Sequence, residues 1–164
     1  MKEAYPKQDE VENIARLARL NLAKDGFLSQ VAFLWTGQQV AIVGGRGLRD
    51  AKDKQAWAST LRRMAIEFKA DTVLSIIEVW AANPPKDHKP EDLLGPVQEK
   101  SGAYEAVLFQ LETMDGTWTC VVPIVRTEGQ GPAFPMPRYW AQGSVSGTMT
   151  NLIPDKKASA YTKS

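Results

Sequence analysis

Two carboxylates stand inside otherwise apolar runs. Glu78 lies in "IIEVWAA", and strand alternation puts it on one face with Leu74, Ile76 and Trp80. Glu105 opens a second run, "AYEAVLFQLE". If the two runs lie side by side, the carboxylates approach one another. Such a pair raises one pKa and can serve acid–base chemistry or hold a magnesium ion. The simpler reading leaves Glu78 at the sheet margin, paired with a Lys, an Arg or a backbone amide, because strand ends commonly carry satisfied carboxylates.

A second candidate is "GGRGLRD", residues 44–50. Gly45 and Gly47 follow a strand and precede a helix, a place where backbone amides can face a phosphate, with Arg46 and Arg49 adding charge. The run matches neither the Walker nor the dinucleotide pattern. Its alternative role is a connection that ends in Asp50 as helix cap. His88, the sole histidine, sits among Lys86, Asp87 and Lys89 with no nucleophile motif nearby and reads as a solvated loop residue. Cys120 alternates with Trp118 and Val122, as a small buried hydrophobe does.

The third candidate is the strip "FPMPRYWAQG". Phe134, Met136, Arg138, Tyr139 and Trp140 are types enriched at interface hot spots, and Pro132, Pro135 and Pro137 favour an extended backbone. The strip either docks on another protomer or protein, or folds back over its own sheet as a lid.

The elements that must position these residues follow from periodicity. Asp9–Asp25 is a helix with Val11, Ile14, Ala18 and Leu22 on one face and Gly26 at its end. "SQVAFLWT" and "QQVAIVG" form a hairpin. A second helix runs from about Asp50 to Lys69, with Trp57, Leu61, Met64, Ala65 and Phe68 as its stripe. "DTVLSIIEVWAA" is apolar on both faces, the pattern of a strand covered on both sides. A charged, proline-broken loop follows. "AYEAVLFQLE" and "TWTCVVPIV" then make a hairpin through "TMDG", and Pro123 marks the last strand as an edge or a break. The expected fold is α+β, a mainly antiparallel five-stranded sheet in the order α-β-β-α-β-β-β, with both helices on one face. Residues 1–128 form the domain. Residues 129–164 are an irregular arm, with one short strand near 144–150.

Composition narrows the function. The apolar share is 43% and the charged share 24%, ordinary for a globular chain. Net charge is +1, so nucleic acid is not an expected partner. The halves differ: residues 1–70 carry 12 Lys/Arg against 8 Asp/Glu, and residues 71–164 carry 8 against 11, which suits association between copies. One Cys and one His cannot build a soft zinc site, and no disulfide can close within the chain. No apolar leader or 18-residue apolar run is present, so a cytoplasmic protein without membrane contact is expected.

The run "IARLARLNLAKDGFLSQVAFLWTGQQVAIV", with "VLSIIEVWAA" and "AYEAVLFQLE", resembles a loosely defined group of small uncharacterised α+β proteins from phage and bacterial genomes. The shared features are the Asp-Gly-x-Leu entry at Asp25–Leu28, the Glu-x-Trp strand end at Glu78–Trp80 and the Glu-Ala opening at Glu105–Ala106. The resemblance spans about residues 10–125. It implies this fold and a mobile-element origin, and it carries over no catalytic residue.

The expected function is therefore a non-enzymatic binding protein of phage type, homo-oligomeric and without metal or other cofactor. It would bind or sequester a host protein or a small phosphorylated ligand. The alternative is a metal-assisted hydrolase of a nucleotide or phosphorylated substrate, working through Glu78 and Glu105 with Arg46 or Arg49 on the phosphate.

Overall fold

The computed structural model describes residues 5–45, 47–48, 50–81, 104–137, 140–143 and 152–153. Arg46, Arg49, His88, Arg138, Tyr139 and the short strand expected near 144–150 lie outside them. The described chain is α+β: α1 (Gln8–Asp25), β1 (Val31–Thr36), β2 (Gln39–Gly44), α2 (Ala51–Phe68), β3 (Thr72–Ala81), β4 (Tyr104–Thr113), β5 (Thr117–Pro123) and β6 (Ala141–Gln142). All strands join one sheet in the order β2-β1-β3-β4-β5-β6, and every pairing is antiparallel.

Local chemistry explains the element ends. Gly26 takes a left-handed φ of 84° and its N–H bonds to Leu22 O at 2.8 Å, closing α1. Asp50 caps α2 by accepting from the Asp53 amide at 2.8 Å. Between β1 and β2, Gly37 has φ 60° at the first position of a two-residue loop, which is where a tight hairpin turn demands glycine.

Two expectations need correcting. The sheet has six strands, not five: Ala141–Gln142 of the arm pairs with Trp118 and Thr119 of β5. The β5 ladder with β4 reaches Pro123, opposite Ala106, so this proline falls at the strand's end. The helices also lie on opposite faces. Val11, Ala15, Ala18 and Leu22 of α1 pack with Leu74, Ile76, Val107, Phe109 and Leu111. Trp57, Ala58, Leu61 and Ala65 of α2 pack with Ala32, Leu34, Val73, Ile77 and Leu108. The reason is in β3 and β4, which carry apolar side chains at both parities. Each face needs cover, and one helix supplies each.

Neither helix covers its face alone. Beside α1, the arm turns back through a bridge between Val125 and Ala133 (N···O 2.7 and 3.0 Å). Phe134 then enters the core at 2% exposure, 5.9 Å from Phe109 between ring centroids. Trp140 stacks near Tyr5 at 4.5 Å. A Cβ on Gly131 would sit 2.6 Å from Ala23 O, so only glycine lets the arm lie this close to α1. Beside α2, Leu152 and Ile153 join the core, held by Glu112. Of the described residues after Arg126, Phe134, Met136, Trp140, Leu152 and Ile153 thus pack with the rest.

Candidate functional site

The β3–β4 register sets Glu78 opposite Val107 and Glu105 opposite Trp80, so both carboxylates lie on the α1 face at the same end of the sheet. There they meet Arg126. Its Nε donates to Glu105 Oε2 at 2.7 Å, its Nη2 to Glu105 Oε1 at 3.3 Å, and its Nη1 to Gly26 O at 3.1 Å. Glu78 Oε1 accepts the Leu28 amide. Burial pushes the Glu78 carboxyl above its ordinary value and the Glu105 charge adds to this, while the Leu28 amide and Arg126 act the other way. The cluster ties the end of α1, the start of β1, the end of β3 and the root of the arm together. Each carboxylate has a protein partner, and among the described residues no three His, Cys, Asp or Glu gather where a metal could bind.

The raised Glu78 pKa has a sign. The folded state holds this proton more tightly than the unfolded chain does. The resulting stability is present below the ordinary glutamate range and is lost as pH rises through the folded value. Ionised Glu78 therefore weakens the fold at neutral pH. Glu78→Gln keeps an acceptor for Leu28, so urea unfolding at pH 7 should give a higher midpoint than wild type. The gap should close as pH falls to about 4. A variant less stable than wild type at neutral pH would show that the carboxylate charge holds the junction.

The glycine loop forms a different site. Gln30, 7% exposed just before β1, holds it through its side chain: Oε1 accepts from Gly47 N at 2.6 Å and Nε2 donates to Gly47 O at 3.4 Å. Gly45 N donates to Gln30 O at 3.0 Å. A Cβ on Gly45 would fall 2.0 Å from Gln30 Nε2, so any side chain there must push the Gln30 amide aside, and Gly47 has φ 110°. The two glycine amides thus bond within the chain, to Gln30. Gln30 competes for them because it reaches both from the neighbouring strand.

This lock borders a cleft of about 540 Å³ lined by Gln30, Gly47, Leu48, Asp53, Ala56, Trp57 and Thr60. Trp57 is 6% exposed and its indole Nε1–H has no hydrogen-bond partner among the described residues. A buried donor without an acceptor costs about 1–3 kcal/mol and calls for an explanation. The cleft is lined by Trp57, whose Nε1–H lies beneath the surface, by Thr60, and by an apolar wall from Leu48 and Ala56.

Of the strip residues, Phe134 is enclosed in the chain's own core, and Met136 and Trp140 pack against it half-buried. The Phe134 ring is enclosed, because it shares with α1 the cover of the face that carries Phe109. Sequence reasoning missed Gln30, the Trp57 donor and Glu112. A signal existed for Glu112. It alternates with Leu108 and Gln110 in a strand whose other parity is Val107, Phe109 and Leu111. Two covered faces would bury it.

Compared with protein-family models, curated proteins and solved structures, the chain matches none. No described helix is long and apolar enough to cross a membrane.

Proposed function

We propose that this protein works by binding a small molecule in the cleft between its glycine loop and α2. The observation that carries this is an open cavity of ligand size walled by Trp57, whose indole Nε1–H is buried beneath that wall without a partner among the described residues. A ligand suited to it has an apolar body to lie against Leu48 and Ala56 and an acceptor to take the indole proton. Phosphorylated small molecules are the class to try first, because Arg46 and Arg49 flank Gly47 and Leu48 in sequence. The floor is stiffened by Gln30 and the glycines, which favours capture in a preformed site. The paired state of Glu78 and Glu105 supports binding over hydrolysis at that end of the sheet.

The test is thermal unfolding with nucleotides and sugar phosphates, followed by titration calorimetry on any hit. A ligand at a hundred times its Kd adds about 2.7 kcal/mol of stability. Trp57→Phe keeps a ring on the wall and removes the donor, so binding should weaken by about tenfold or more, equivalent to one hydrogen bond of about 1.4 kcal/mol. Gly45→Ala displaces Gln30 and should weaken binding as well. Equal affinity in Trp57→Phe and wild type would remove the basis of this assignment.

A further inference from the structure

We propose that β2 is a self-pairing edge, through which two copies of this chain join their sheets into one. The inference is independent of the cleft. β2 ends the sheet among the described residues. The two-residue hairpin loop makes Thr36 and Gln39 a mutually bonded pair, and the Gly45 N to Gln30 O bond continues the same ladder. Backbone groups of Gln39, Ala41 and Val43 therefore point at β1. Those of Val40, Ile42 and Gly44 point outward.

Natural edges are protected by charge, proline, bulges or cover. β5, near the other edge, has β6 beside it and ends in Pro123. From Thr36 to Gly45 the sequence "TGQQVAIVGG" has no charged residue and no proline. Ile42 is 65% exposed and Val40 47%. On the same face, Ile42 shares the lining of an apolar groove of about 420 Å³ with Leu17 and Phe27, themselves 60% and 58% exposed. Exposed apolar side chains beside an edge that no described strand covers mark an interface.

The occupant is a second copy because the outward set is symmetric about Ile42. A two-fold axis through Ile42, perpendicular to the sheet, keeps like faces together. It pairs Ile42 with the partner's Ile42, and Val40 with the partner's Gly44. Every outward amide and carbonyl of the three residues then finds a partner. The strand is uncharged, so no like charges meet across the seam.

Light scattering on the full chain should give a dimer of twice 18.1 kDa. Val40→Pro removes an outward donor that β1 does not use, and Ile42→Lys places charge on the axis. Both should yield monomers with wild-type circular dichroism and cooperative unfolding. The register has its own readout. Under mild oxidation Ile42→Cys should cross-link to its own copy and Val43→Cys should not, because a residue on the axis meets itself at a distance a disulfide spans. A wild-type monomer up to high concentration would overturn the proposal. So would a dimer that survives both Val40→Pro and Ile42→Lys, or equal cross-linking at 42 and 43.

Discussion

Phe134→Ala should lower the free energy of unfolding by about 3–5 kcal/mol, the range for emptying a buried aromatic site. The ring is 2% exposed, lies 5.9 Å from Phe109 and shares with α1 the cover of this face of the sheet. The neighbourhood is poorly able to collapse into the gap. Phe109 and the β4 backbone are fixed by pairing on both sides, and Gly131 already holds the arm against Ala23. Since small domains are stable by only about 5–15 kcal/mol, one such loss shifts the urea midpoint far enough to measure without ambiguity. A change under about 0.5 kcal/mol, the level of an ordinary surface substitution, would mean that the arm is not part of the core.

Glu112→Ala should cost about 2–6 kcal/mol. Glu112 is 1% exposed, and its Oε1 and Oε2 accept the amides of Leu152 and Ile153 at 3.0 and 2.6 Å. Alanine strands two buried donors, each costing about 1–3 kcal/mol. Glu112→Gln isolates the cause. It has the same shape and one acceptor oxygen, but turns an NH₂ group toward the second amide. An intermediate loss is expected, with faster proteolytic cleavage near 152–153 in both variants. If Gln and Ala behave alike, shape fill rather than acceptor geometry secures this segment.

Periodicity revealed most of the backbone and little of its assembly. Val11, Ala18 and Leu22 mark α1, and Trp57, Leu61 and Ala65 mark α2, since a helix buries a stripe whatever lies beneath it. The stripe does not say which side of a sheet it meets. That answer lay in Val73 and Leu74, both buried at opposite parities. β6 was illegible for another reason: two residues carry no period, and Ala141–Gln142 is a strand only because β5 offers an edge. At the sheet's end, Glu78 bonded to a backbone amide was among the readings the sequence allowed. Its neighbour Arg126 was not, because it reaches Glu105 across 21 residues of hairpin. The cleft was half legible. Gly45 and Gly47 drew notice as glycines, but their reason is the Gln30 side chain, 17 residues before Gly47.

The hold of Glu112 on Leu152 and Ile153 spans 40 residues of chain and has a consequence during translation. A ribosome delivers α1, the first hairpin, α2 and β3 well before the peptide that finishes the α2 face. Until then a nascent chain shows apolar surface around Leu108 and an acceptor that lacks its donors. Packing on that side concludes only when Leu152 and Ile153 emerge, so chaperones and proteases have an opportunity for as long as the intervening residues take to be made. A stop before Leu152 would leave all eight described elements encoded and the α2 face without the amides that Glu112 accepts.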